Sequence, residues 1–148
     1  MNPSSSLSPF AFYGAGVPYA EGLGLRYPQR TPTEHERSFF HENPSVAGYA
    51  ADDRSVVMNP EFTGNHASVL LNERLRHLFR ETPQLVPANL TVMPHQVPPT
   101  HYSETETPEA VRATILARLL AGDPSAAPYS FQQQDAARAI LHFLQQLK

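Results

Sequence analysis

Three groups of residues in this chain have the types that catalysis or recognition requires. Asp52 and Asp53 are adjacent carboxylates inside ENPSVAGYAADDRSVVMNP, residues 42–60. Histidines stand at positions 35, 41, 66, 77, 95, 101 and 142, and Arg74, Arg76 and Arg80 follow one another closely. A pair of catalytic carboxylates must converge on one substrate. Neighbours in a strand point to opposite faces, whereas Asp in a turn bonds the local backbone. Asp52-Asp53-Arg54 therefore reads as the turn of a β-hairpin, 45–50 paired with 55–58, closed at both ends by Asn43-Pro44 and Asn59-Pro60.

The histidines lack the tight spacing of a zinc site; His35 and His41, six apart, diverge around a helix. There is no Cys, and no Ser stands in Gly-x-Ser-x-Gly. Gly14-Ala15-Gly16 and Gly22-Leu23-Gly24 are too short for phosphate loops. Three arginines on one helix suit a solvated face or protein–protein contacts better than nucleic acid. The residues thus assign no catalytic, metal or cofactor position. An enzyme would need a site assembled by the fold, as a small hydrolase or metal-dependent lytic factor, with His35, His41, Asp52 and Asp53 as the first suspects.

The elements that must position these residues are mostly helical. Thr33 with Glu36 forms a capping box for a short helix over 33–43, with Phe39 and Phe40 on its apolar face. Residues 65–81 predict an amphipathic helix capped by Asn65, striped by Leu71, Leu75, Leu78 and Phe79, with Glu73, Arg74, Arg76 and Arg80 on the other faces. Thr107-Pro108-Glu109 opens a helix over 107–121, ended by Gly122 and Pro124. Ser130 and Gln133 open another over 130–147, so the segment 107–147 predicts a helical hairpin.

Proline is the compositional outlier, with 15 in 148 residues, spread from Pro3 to Pro128. Residues 1–32 show no period, few charges, and five aromatics: Phe10, Phe12, Tyr13, Tyr19 and Tyr27. That composition is the reverse of a disordered tail. It predicts a long extended arm laid on a neighbour or strapped across its own domain. Residues 82–107 carry five more prolines among scattered apolar residues and predict an irregular midsection laid along a surface. The expected organisation is an arm, 1–32, and a mainly α domain, 33–148, of about four short helices with one β-hairpin at 45–58.

Net charge is −3, which gives no electrostatic case for nucleic acid. No apolar run is long enough for a membrane span, and the first residues have neither the basic start nor the apolar core of a secretory signal. The stretch 42–60, followed by Asn72-Glu73 in a helix and by ATILARLLAGDPSA at 113–126, resembles small proteins encoded by tailed bacteriophages. The likeness covers roughly residues 36–126. The chain departs from the pattern where Arg74-Leu75-Arg76 follows Asn72-Glu73, and no catalytic role comes with it.

The resemblance implies a virion component, made in the host cytoplasm and carried in the particle. Together with the irregular apolar backbone, it points to a non-enzymatic structural or interaction protein. Its partners would be other subunits, capsid or tail proteins, in an oligomeric or multi-copy setting. The expected contact residues are Phe10, Phe12, Tyr13, Tyr19 and Tyr27 of the arm, with Arg74, Arg76 and Arg80. A small regulator binding host protein or DNA through the 65–81 helix is the remaining alternative.

Overall fold

The computed structural model describes residues 12–96 and 107–147. Five helices and a small sheet follow in chain order: α1 (Ala20–Arg26), β1 (Gln29–Arg30), α2 (Glu34–Glu42), β2 (Gly48–Ala50), β3 (Val56–Met58), α3 (His66–Glu81), α4 (Pro108–Ala121) and α5 (Phe131–Gln146). The architecture is mainly helical, as the periodicity predicts. The capping signals hold residue for residue. Thr33–Glu36 and Ser130–Gln133 form reciprocal capping boxes, and Asn65 and Thr107 accept from the backbone N–H three residues on.

The hairpin at 45–58 forms, with β2 antiparallel to β3. A third strand joins it. β1 lies parallel to β3, giving the order β1-β3-β2. At two residues, β1 carries no period for sequence reading to detect.

The largest correction concerns residues 12–32, expected to be extended. Val17–Tyr19 make a 3-10 turn that runs into α1. Leu23 and Tyr27 are buried in the main core, against Leu71, Leu75 and Leu78 of α3, Ile115, Leu119 and Leu120 of α4, and Ile140 and Leu144 of α5. Phe12, Tyr13 and Tyr19 pack partly buried on the same core. Residues 1–11, including Phe10, lie outside the described residues. A second, smaller core joins Phe40, Val46, Ala51 and Val57 under the sheet.

The Gly14–Gly16 turn closes on the end of α4. The N–H groups of Gly14 and Gly16 donate to the carbonyls of Leu119 and Leu120 at 2.8 and 2.9 Å. The last carbonyls of a helix lack partners within it, so this segment supplies them. Gly122 turns the chain out of α4 in the left-handed region, φ +80°. Its Cα side faces Gly14 so closely that a Cβ there would sit 3.4 Å from the Gly14 Cα.

In the midsection, residues 82–96 carry 3-10 turns at Pro83–Leu85 and Pro94–Gln96. Leu90 enters the main core. Gln96 is buried and exchanges hydrogen bonds of 2.9 and 2.7 Å with Gln133 of α5, whose Nε2 also donates to the Thr91 carbonyl. Residues 97–106, the rest of the expected irregular segment, lie outside the described residues.

Two glycine substitutions should move stability in opposite directions. Gly122→Ala places a Cβ in the left-handed region against Gly14 and should cost about 1–2 kcal/mol. Gly22→Ala, in α1 with nothing within 4 Å of the new Cβ, should stabilise by about 0.5–1 kcal/mol. Urea unfolding of the two variants beside the parent chain measures both.

Candidate functional site

Asp53 answers the question of the acidic pair. Its Oδ1 accepts from the Ser55 N–H at 3.1 Å and from the Ser55 hydroxyl, and its Oδ2 accepts from Arg30 Nε at 2.9 Å. Arg54 takes φ +69° in the turn and reaches Glu81, Nε to Oε2 at 2.6 Å. Asp52 is exposed. The pair shapes a turn and anchors it to β1 rather than converging on a substrate.

Glu36 is the polar centre next to that turn. Besides closing the α2 capping box, it receives a bidentate pair from Arg30 at 2.6 and 2.8 Å and the hydroxyl of Tyr49. Arg30 holds the Glu36 carboxyl well below the usual carboxylate range. Burial, then the bond to Glu36, pushes the Tyr49 phenol up to about 12. One carboxylate thereby joins β1, the start of α2 and β2.

Beyond Tyr49 opens a cleft of about 490 Å³ between the α2–β2 layer and the α3–α4 pair. Its walls include His35 and Phe39 of α2, Val46, Tyr49 of β2, Asn72, Glu73, Arg76 and Arg80 of α3, and Thr114 and Arg118 of α4. Sequence reading put Glu73 on the outer faces of α3, yet it is 6 % exposed. A helix flanked by sheet on one side and α4 on the other buries polar positions as well as its leucine stripe.

Burial pushes the Glu73 carboxyl up, against the opposing pull of Arg76, Arg80, Arg118 and the Ala50 backbone N–H. Glu73 Oε1 lies 3.5 Å from Arg76 Nη1, an ion pair too long for a hydrogen bond. Neither that oxygen nor the buried Asn72 Oδ1 has a hydrogen-bond partner, and Arg118 Nε, 3.9 Å from Asp123, has none either. The side chains of Arg76 and Arg118 keep 23 % and 18 % exposure, so their charge is half-sheltered from water. Three guanidinium groups in one partly desolvated cleft, beside unmatched acceptors, can hold an anion that also brings hydrogen-bond donors.

The expected partner-binding residues are spread across the fold and mostly engaged within it. Tyr27 is fully buried, donates to Glu81 at 3.0 Å and stacks on His77, so it cannot anchor a partner on the surface. Phe12 lies under the Arg138 guanidinium, and Tyr13 packs near Tyr129. Arg74 Nε donates to the Tyr27 carbonyl at 2.9 Å. What residues 12–32 leave most exposed among large apolar side chains is Val17 and Leu25. Arg76 and Arg80 alone of the expected set share the cleft.

Of the enzyme suspects, His35 lines the cleft, whereas His41 is exposed beside Glu61 on another surface. Among the described residues no group of three or more His, Asp or Glu is placed to hold a metal ion. Sequence reading missed Asn72, Thr114 and Arg118 as cleft residues. Compared with known proteins, the chain matches no family model, no curated protein and no solved structure.

The lowered carboxyl of Glu36 ties stability to pH. Its folded pKa lies below the ordinary 4.5, so its contribution is present above that value and is lost as pH falls below it. Asp53 and Glu81 shift in the same direction. The thermal midpoint should therefore drop from about pH 6 to about pH 3. Glu36→Gln should lower the midpoint at neutral pH and remove the larger part of that slope, read by circular dichroism melts across the range.

Proposed function

We propose that this chain is a non-enzymatic interaction protein, a component of a tailed-phage particle, that holds a neighbouring subunit through the arginine-lined cleft. One observation carries the reading. The three sequence stretches that resemble phage proteins are far apart in the chain, and each supplies walls of the same cleft: Val46 and Tyr49 from 42–60, Asn72 and Glu73 from the following helix, Thr114 and Arg118 from 113–126. The arm described above as a docking element packs on its own core between residues 12 and 27, so on this reading the contact with a neighbour moves to the cleft.

Charge supports this placement. The chain as a whole is acidic, at −3, while in the cleft lining Arg76, Arg80 and Arg118 outnumber the carboxylates Glu36 and Glu73. A local patch opposite in sign to the rest of the surface orients a partner and fixes register. Capsid or tail subunits present in many copies are the partners this reading implies.

Mass spectrometry of purified particles from the producing host tests it. The chain should be present in a fixed ratio to the capsid protein. Arg118→Glu should lose at least tenfold in incorporation while the purified variant keeps its helical circular dichroism. A chain absent from the particles overturns the virion reading. A variant incorporated at parental level overturns the role of the cleft.

A further inference from the structure

The cleft at the centre of that reading has a donor and acceptor pattern that selects among anions. Its lining holds three guanidinium groups: Arg76, Arg80 and Arg118, whose buried Nε has no hydrogen-bond partner and lies 3.9 Å from Asp123. Beside them stand two buried acceptors with no hydrogen-bond partner, Asn72 Oδ1 and Glu73 Oε1, the latter 3.5 Å from Arg76 Nη1. Phe39, 38 % exposed and set edge-on to Tyr49 at 6.2 Å, gives the opening an apolar rim.

A phosphate or a nucleic-acid backbone brings acceptors alone. It pairs with the arginines but leaves Asn72 Oδ1 and Glu73 Oε1 unmatched. A peptide brings both kinds of group. An Asp or Glu side chain accepts from guanidinium in a fork geometry. The backbone N–H groups beside it donate to Asn72 and Glu73, and a neighbouring apolar side chain covers Phe39. The volume, about 490 Å³, falls within the range of small-ligand pockets. It suits a few residues of chain rather than a folded surface.

We infer that the cleft is a receptor for a short peptide segment of a partner protein, one acidic residue beside an apolar one, with the carboxylate on Arg76 and Arg118 and backbone N–H groups on Asn72 and Glu73. This rests on the interaction reading above but not on its virion setting. Particle composition tests the setting, and peptide binding tests the ligand.

The full chain, labelled with 15N, is titrated with two panels of blocked tetrapeptides. One panel has Asp or Glu at a single position with varied apolar neighbours, and the other has Asn or Gln there. Inorganic phosphate and a single-stranded oligonucleotide are titrated alongside. Expected are saturable shifts of the Asn72 side-chain amide and the arginine Nε–H signals with acidic members, and at least tenfold weaker binding of the amide panel. Arg118→Gln should lose tenfold or more for the acidic panel. Arg76→Gln, at the other guanidinium assigned to the carboxylate, should also weaken it, and a 15N spectrum that keeps its dispersion in each variant guards against a folding defect. An acidic panel that binds no better than the amide panel, including failure of both to bind, overturns the inference. So does preferential binding of phosphate or oligonucleotide, or acidic-peptide affinity unchanged in both arginine variants.

Discussion

Side chains of α3 gripping backbone groups of its neighbours are the interaction on which the rest of the structure depends. Glu73 takes the N–H of Ala50 and Arg80 Nη1 donates to the Ala50 carbonyl at 3.2 Å. His77 Nε2 lies 2.7 Å from the Ser55 carbonyl, and Arg74 binds the Tyr27 carbonyl. Strands of two or three residues cannot hold a sheet together in water. Here the edge of β2 is finished by a helix instead of by another strand, and the same helix fixes the exit of α1.

That grip also explains the cleft. A helix that must reach sheet backbone on one side and pack α4 on the other carries polar side chains into desolvated space. Glu73 serves the Ala50 N–H with its carboxylate and still leaves Oε1 without a hydrogen bond. Unsatisfied buried acceptors cost free energy in the isolated fold. A ligand able to supply donors there recovers it, so a requirement of the scaffold and a capacity for binding come from one set of residues.

The fold was legible where the code is local. Thr33, Asn65, Thr107 and Ser130 start four helices because a side-chain oxygen three residues before a backbone N–H is a short-range device. Asp52-Asp53-Arg54 was legible as a turn for the same reason. α1 was not, since Gly22 and Gly24 are poor helix formers and the helix is held by the burial of Leu23 and Tyr27 against α3. β1 was not, because two residues have no period and pair only once β3 exists. Arg76 and Arg80 were singled out as contact residues from their spacing. Arg118 was hidden inside an apolar helix, and only the packing of α4 on α3 brings it to them.

The turn at Gly14–Gly16 hands its N–H groups to Leu119 and Leu120, and this orders events during synthesis. The stretch made early finds its hydrogen-bond partners only after α4 has emerged, more than a hundred residues later. Until then Tyr13, Tyr19 and α1 have no α4 to cover. Closure of this kind is a late, long-range step. It makes the order of the Gly14–Gly16 turn a readout of whether α4 has folded.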